Sequence, residues 1–261
     1  MAFGEPKYLS AAQKAADFIL TRMRNDDGRL FRRYRREKAG ISALLNDYAF
    51  MVWGLIELYQ ATLTPGYLEE AIKLNDIMLA YFWDNKKGGL FQTASDAERL
   101  FLRSKQAQDG AIPSGNSVAA LNLLRLSRLT GNTDYSLGAE ELLKAFSTSV
   151  ERYPAAFTHL IQALDYVLYT DIQIVVVGRP DAPDTVAMLK ALQTLFLADK
   201  VLIFKPADRD QADSIVKLAP YIKNMTAIDG KATAYVCRDF VCNLPTTDIP
   251  QMLTMLDRNK K

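Results

Sequence analysis

The 261-residue sequence is poor in histidine and cysteine and carries almost no net charge, and each shortage narrows the possible functions. Basic residues exceed acidic ones by only two, so no strong electrostatic field favours nucleic acid or a membrane surface as a partner. No apolar run reaches the ~20 residues that a membrane-spanning helix needs. Two cysteines, together with a start that does not read as a signal peptide, favour a reducing, cytoplasmic compartment.

Short motifs that mark common catalytic sites are also missing. There is no phosphate-binding P-loop, no dinucleotide fingerprint, no serine nucleophile elbow and no spacing typical of metal ligands. We therefore expect neither a cofactor nor a metal.

What is present is a helical repeat. Three segments open with tyrosine and are amphipathic at helical spacing, namely "YLSAAQKAADFIL", "YLEEAIKLNDIML" and "YSLGAEELLKAFS". Three further helices, predicted at roughly 44–62, 114–129 and 154–169, alternate with them, and the first two are apolar nearly all round. This alternation predicts an inner ring of buried helices inside an outer ring of amphipathic ones, built from repeated hairpins.

Two long links, 25–43 and 84–113, precede the first two inner helices, whereas the links that follow these helices are short. The long links are therefore expected to gather over the N-termini of the inner helices. Long ordered loops on a rigid scaffold are where binding residues usually lie.

The pattern changes after Thr170. "IQIVVVG" reads as a buried strand, "DTVAMLKALQTLF" as a helix, "KVLIF" and "ATAYVC" as further strands and "TTDIPQMLTML" as a closing helix. We predict a mainly α protein with two domains: a partial α/α toroid at 1–170 and a small, partly parallel α/β unit at 171–261.

Several segments, in this order, resemble a known family: "LLNDYAF", "YFWDNKKGGLFQT", "DGAIPSGNSVAALNLLRL", "YPAAFTHLIQALDY", "IVVVG" and "YVCRDFVCNLPTTD". They are similar to the C-terminal part of the YyaL-type family of thioredoxin-domain-containing proteins, whose animal members are called spermatogenesis-associated. The resemblance implies an α/α barrel like that of six-hairpin glycosidases and N-acylglucosamine 2-epimerases, preceded by a thioredoxin-like domain.

From the residues of this sequence we expect no thioredoxin-like domain and about three hairpins where a closed toroid has six. The resemblance therefore predicts a fragment, a split gene product or a chain that closes its core by association. A missing upstream half and a thioredoxin-like protein are the expected partners.

Two carboxylates are candidates for catalysis at the mouth of the inner helices. Asp47 begins the first inner helix, and Asp109 lies in the loop before the second, about one repeat later. If these positions are equivalent, both carboxylates face one cavity, as glycoside hydrolysis requires. The alternative is that both side chains cap helix N-termini, where orphan N–H groups favour a carboxylate.

The polar start of the second inner helix raises a similar choice. Ser114 is a good N-cap and, with Asn116, a candidate substrate contact. Asn116 falls in the first turn of a buried helix, where its amide needs hydrogen-bond partners. Those partners are either loop carbonyls or a bound substrate, and the sequence leaves both open.

Basic and aromatic residues are candidates for substrate contacts at the same mouth. Arg33 belongs to the arginine-rich stretch "GRLFRRYRREKAG", which suits an acidic sugar or, alternatively, forms a solvated loop. Tyr48 is one of six aromatic residues that either stack on sugars or anchor the core.

His159 is the only histidine, near the start of the third inner helix. It is either a substrate-binding acid–base group or a structural residue. Epimerases of the similar fold use more than one histidine, so epimerase chemistry is expected only if upstream sequence supplies a second one.

Cys237 and Cys242 are either a redox pair that exchanges with a thioredoxin-like partner or two reduced thiols. The sequence thus leads to three hypotheses: carbohydrate binding or processing at the mouth, a non-catalytic scaffold that needs a partner, and a redox-linked accessory domain.

Overall fold

The computed structural model describes residues 5–98, 101–169, 172–195, 197, 200–238 and 240–256. Its helices are α1 (Pro6–Arg22), α2 (Leu45–Thr62), α3 (Pro65–Phe82), α4 (Gly115–Thr130), α5 (Thr133–Arg152), α6 (Thr158–Tyr169), α7 (Pro183–Thr194), α8 (Arg209–Leu218) and α9 (Ile249–Leu256). Its strands are β1 (Phe31–Arg35), β2 (Lys38–Ser42), β3 (Ile172–Gly178), β4 (Lys200–Pro206), β5 (Thr233–Arg238) and β6 (Val241–Cys242). None of the described helices combines the length and the apolar character that crossing a membrane requires.

Two tight turns join α2 to α3 and α4 to α5 as antiparallel hairpins. Leu63 ends α2 in the left-handed conformation, and Pro65 opens α3 at a position where its missing N–H is harmless. Gly131 ends α4 in the same left-handed conformation, and the side chain of Asn132 caps α5. These local stop and start signals produce the hairpins α2–α3 and α4–α5.

Helix α4 lies at the centre of the helical region. It packs against α2 on one side, α6 on the other and α5 behind, and nearly all of its residues are buried. Helices α1 and α5 bury only a narrow stripe each. The predicted inner and outer helices are thus confirmed for this part of the chain. Helix α6 differs from α4 because it leaves Leu164, Val167 and Leu168 exposed along one side.

The second part of the chain forms a four-stranded sheet in the order β4–β3–β5–β6. Strand β3 runs parallel to β4 and antiparallel to β5, which confirms the predicted partly parallel α/β unit. All seven residues of β3 are buried because both faces of the sheet are covered. Val175 and Val177 join the core of the helical hairpins, whereas Ile174 and Val176 face α7 and α9.

The fold class is therefore as predicted: helical hairpins plus a small α/β unit. The apolar core continues from the hairpins onto one face of the sheet, so the helices and the sheet share a core. The division into two domains stays a prediction.

Candidate functional site

The two long links come together over the N-terminal ends of α2 and α4. The first folds into the β1–β2 hairpin, and its base is held by the N–H of Leu30, which donates to the Tyr48 hydroxyl at 3.0 Å. The second link is tied to α2 by the N–H of Leu45, which donates to the carbonyl of Gln92 at 3.1 Å. The loops thus gather where the sequence predicted them.

Asn116 anchors the second link to α4, and the structure gives its amide the loop partners that were one of the two alternatives. Its Oδ1 accepts from the N–H of Leu90 at 2.8 Å, and its Nδ2 donates to the carbonyls of Leu90 and Gln106 at 2.9 and 3.0 Å. The side chain is fully buried. Its hydrogen bonds are satisfied by the backbone, so no ligand is needed to explain a buried amide here.

Ser114 acts as the N-cap of α4, as its residue type predicts. Its Oγ accepts from the N–H of Ser117 at 3.1 Å, and the two hydroxyls lie 2.8 Å apart. Ser117 also donates to the carbonyl of Ala107 at 3.1 Å. The same few polar residues at the start of α4 therefore cap the helix and bind the preceding loop.

The carboxylate of Asp109 bridges two helix starts. Its Oδ1 accepts from the N–H of Ser114 at 2.9 Å, and its Oδ2 accepts from the N–H of His159 at 2.8 Å. Since Ser114 caps α4 and His159 lies in the first turn of α6, Asp109 fixes the separation of these two helices. Its role in the described contacts is that of a positioning residue.

Asp47 caps the start of α2 by reaching back to the backbone of the N-cap residue. Its Oδ2 accepts from the N–H of Leu44 at 2.8 Å, and the Nε of Arg32 lies 3.8 Å from the same oxygen. About a third of its side chain is exposed. Capping is thus observed, and the exposed part of the carboxylate still faces the β1–β2 hairpin.

The expected equivalence of Asp47 and Asp109 is wrong. Asp47 is the third residue after the N-cap Leu44, and the matching residue of α4 is Ser117, the third after Ser114. Asp109 precedes the helix, in the loop. The second link is longer than the first, so α4 begins later in its sequence repeat than α2 does in its own. Positions one repeat apart in sequence therefore do not occupy equivalent places in the two helices.

Tyr48 is not available to a ligand, contrary to the expectation of a substrate contact. Only 1% of the residue is exposed, its ring packs 5.4 Å from that of Phe82, and its hydroxyl is engaged by Leu30. The reason is its position on the side of α2 that faces the core. Arg33, in contrast, is exposed on β1 opposite Gly40.

The other basic residues of the mouth are distributed over separate contacts. Arg29 forms an ion pair with Asp96 and lies 4.1 Å above the ring of Tyr81. Arg103 lies at the same distance above the ring of Phe91. These arginines stabilise the loops and do not converge on one anion.

A cluster that the sequence reasoning missed lies on the open side of α2. Phe50, Trp53, Gly54 and Glu57 recur at helical spacing, and none of the four is buried. Trp53 reaches α6, where its ring lies 5.2 Å from that of His159. Glu57 reaches α4, where its Oε1 lies 2.7 Å from the guanidinium of Arg125 and 3.2 Å from the Nε1 of Trp53. We call Trp53, Glu57, Arg125 and His159 the Trp53 cluster.

The sequence carries a signal for this cluster. Within the apolar helix "LNDYAFMVWGLIELYQAT", a glycine follows the tryptophan, and a glutamate lies one turn further on. A glycine and a charged residue on one side of a helix otherwise built for burial indicate a side that faces solvent.

Burial favours the neutral form of His159. Burial lowers the pKa of its imidazole, and the charge of Asp109 and a hydrogen bond with Gln162 only partly oppose this. Only 8% of the residue is exposed, and its Nε2 has no hydrogen-bond partner among the described residues. Glu57, by comparison, keeps 56% of its side chain exposed while holding Arg125.

The two cysteines are joined in a disulfide, so the alternative of two reduced thiols is wrong for this structure. They face each other across β5 and β6, at the edge of the sheet. Within the described residues, no three acidic, cysteine or histidine side chains come together as a metal site.

The chain matches no model of a known protein family. Spermatogenesis-associated protein 20 of the rat is 40% identical over 215 residues, which cover 81% of this chain and 27% of the rat protein. The mouse protein of the same name is 36% identical over 267 aligned positions, which cover 98% of this chain and 33% of the mouse protein. The chain is a homologue of spermatogenesis-associated protein 20. It spans only about a third of the length of these relatives.

Among solved structures, a GH76 α-mannanase from Bacteroides thetaiotaomicron is similar over 61% of this chain and 45% of its own. The TM-score is 0.48, with 16% sequence identity.

Proposed function

We propose that this chain binds a carbohydrate on the open side of α2, through the Trp53 cluster. The observation that carries the proposal is the side-by-side placement of the Trp53 ring, the Glu57 carboxylate and the Arg125 guanidinium, with the imidazole of His159 against the indole. These groups come from three helices that a shared core holds rigidly.

A sugar ring matches this combination of groups. It offers an apolar face to an aromatic ring and hydroxyls at its rim to planar charged groups, which is the chemistry of aromatic and carboxylate or guanidinium side chains. Arg125 is already neutralised by Glu57, and His159 is neutral near pH 7, so an uncharged sugar fits better than a uronate or a sugar phosphate.

The mouth residues have supporting roles in this proposal. Asp109 positions the first turn of α6, and with it His159. Asp47 is partly exposed beside the β1–β2 hairpin and Arg33 is exposed on β1, so both would contact only a ligand that extends beyond the cluster. Whether a bound sugar is also processed is a separate step that needs a second reacting group, for which Asp47 is the candidate.

The test is a thermal-shift and tryptophan-fluorescence titration with neutral mono- and oligosaccharides, uronates and sugar phosphates. A ligand bound only by the native state stabilises it by about 2.7 kcal/mol at a hundredfold excess over the dissociation constant. We expect a saturable rise of the melting midpoint with a neutral sugar, lost in Trp53→Ala and in Glu57→Gln.

Trp83→Phe is the matched control because it removes the only other tryptophan, which lies away from the cluster at the end of α3. The Asp47→Asn variant separates the two candidate locations, since only binding at the mouth depends on its charge. A panel without any saturable shift, or a shift that survives both cluster variants, would contradict the proposal.

A second candidate function is a protein-interaction surface, and it is favoured by the exposed apolar side of α6. Leu164, Val167 and Leu168 follow one another at helical spacing, and 62% of Leu168 is exposed. Contiguous exposed apolar side chains are typical of surfaces that bind a partner. Sedimentation velocity over a range of concentrations tests this: association that disappears in Leu168→Glu supports it, and a monomer at all concentrations argues against self-association through this face.

A further inference from the structure

The disulfide Cys237–Cys242 lies at the open end of the sheet. Strand β6 contains only two residues and is the last strand in the order β4–β3–β5–β6. It pairs with β5 through Cys237 opposite Cys242 and Arg238 opposite Val241. No further strand of the described chain covers this edge, so a partner can approach it.

The two sulfur-bearing residues differ in accessibility. Cys237 is 1% exposed and lies in the middle of the sheet, opposite Gln173 of β3. Cys242 is exposed, as are its neighbours Val241 and Asn243. A thiolate attacks a disulfide along an open path, so Cys242 is the sulfur that an external thiol reaches.

The position of the bond also argues against a purely stabilising role. A disulfide stabilises a fold mainly by restricting the unfolded chain, and the effect is smallest for short loops. Cys237 and Cys242 are five positions apart, and the hairpin is already closed by backbone hydrogen bonds such as Asn243 N–H to the Val236 carbonyl at 2.9 Å. The bond therefore joins residues that the sheet already holds together.

From these observations we infer that Cys237–Cys242 is a thiol–disulfide exchange site for a dithiol partner. One thiolate of the dithiol attacks Sγ of Cys242, which forms a mixed disulfide and releases Cys237 as a thiolate that takes up a proton. The second thiol of the partner then loses its proton and attacks the partner's other sulfur, which is bonded to Cys242 in the mixed disulfide. This attack releases Cys242 as a thiolate, which takes up a proton. The chain gains two electrons and two protons, and the dithiol leaves as a disulfide.

The bond also restrains a contact beside the helical hairpins. Phe240, at the tip of the hairpin, packs edge-on against the ring of Tyr221 at 5.4 Å. The Tyr221 hydroxyl donates to the carbonyl of Arg128 in the last turn of α4, at 3.2 Å. Gln173, the strand partner of Cys237, donates to the same carbonyl at 3.2 Å. Reduction is therefore expected to loosen the hairpin tip first, and the contact between Phe240 and Tyr221 is expected to loosen together with it.

The first experiment treats the folded, air-oxidised protein with millimolar dithiothreitol, removes the reductant and counts the thiols before and after treatment by maleimide mass tagging in denaturant. We expect no free thiol before treatment and two per chain afterwards, with an unchanged far-ultraviolet circular dichroism spectrum. Backbone hydrogen exchange should become faster in 233–242 and remain unchanged in α2 and α4. Two thiols before treatment, or a bond that dithiothreitol reduces only in the unfolded chain, would overturn the inference.

Single-cysteine variants test the direction of attack. Cys237→Ser leaves the exposed thiol, and Cys242→Ser leaves the buried one. We expect the Cys242 thiol to react with an aromatic disulfide reagent at least tenfold faster than the Cys237 thiol. Equal rates in two folded variants would contradict the assignment of Cys242, and if either variant does not fold, the thiol count on the unmodified chain still decides the inference. The inference does not depend on carbohydrate binding.

Discussion

The side-chain amide of Gln60 pairs with the backbone of Leu202 as a neighbouring strand would. Nε2 donates to the Leu202 carbonyl at 3.0 Å, and the Leu202 N–H donates to Oε1 at 2.9 Å. Gln60 belongs to helix α2, and Leu202 lies on β4, the edge strand next to the helical hairpins. One buried glutamine thus satisfies the outward-facing N–H and carbonyl of Leu202 at the edge of the sheet and joins this strand to helix α2.

Replacing Gln60 by leucine keeps the volume and removes both hydrogen bonds. Because the Leu202 N–H and carbonyl then remain buried without a partner, we expect the free energy of unfolding to fall by about 2–4 kcal/mol. Urea denaturation followed by circular dichroism measures this. Gln193→Leu is the control, since Gln193 makes one 3.4 Å contact with Ala61, and a loss as large as that of Gln60→Leu would refute the explanation.

Asn116→Ala removes the three hydrogen bonds that anchor the second long link to α4. We expect a loss of about 3 kcal/mol in the free energy of unfolding, because Leu90 and Gln106 lose buried partners. Asn132→Ala, which removes only the exposed N-cap of α5, should cost about 1 kcal/mol. Proteolysis should cut the link 84–113 faster in Asn116→Ala alone, and equal cutting in both variants would count against the anchor.

Two glycines in neighbouring inner helices should respond in opposite directions to alanine. A Cβ on Gly115 would lie 2.8 Å from Cγ of Leu45 and still closer to Oδ1 of Asn46, so Gly115→Ala should destabilise by about 1–3 kcal/mol. A Cβ on Gly54 meets nothing within 4 Å, so Gly54→Ala should stabilise α2 by about 1 kcal/mol. Thermal unfolding of both variants checks the sign, and a shared direction would disprove the packing argument.

His159 should make stability depend on pH in one direction. Burial holds its folded-state pKa below the ordinary value near 6.5, so on acidification the unfolded chain takes up a proton before the folded chain does. The contribution of neutral His159 to the free energy of unfolding is therefore fully present above about pH 7. It is lost as the pH falls through 6.5 towards the folded-state pKa.

Because the chain has one histidine, the His159→Gln variant isolates this contribution. We expect the free energy of unfolding to fall more steeply between pH 7.5 and 5.5 in the unmodified chain than in the variant. Parallel curves, or a chain that becomes more stable on acidification in this range, would show that the imidazole is not held neutral by burial.

Local signals in the sequence determined most of the helices and strands. The period of apolar residues predicted most of the helices, Ser114 predicted the start of α4, and "IQIVVVG" predicted a buried strand, as the structure has them. These features depend on neighbours within one or two helical turns, or on the alternation along a single strand, so they can be read without knowledge of the fold. Helix α8 was not predicted.

Tertiary structure alone decided which of the candidate side chains meet. Trp53 and His159 come from α2 and α6, and Asp109 reaches the N–H of His159 only because α4 and α6 begin side by side. The rotation of a single helix places Tyr48 inside the core and Trp53 at its partly exposed margin, which composition does not reveal. Such contacts depend on how helices distant in sequence pack, and their relative rotation is fixed by the whole core and not by any local pattern.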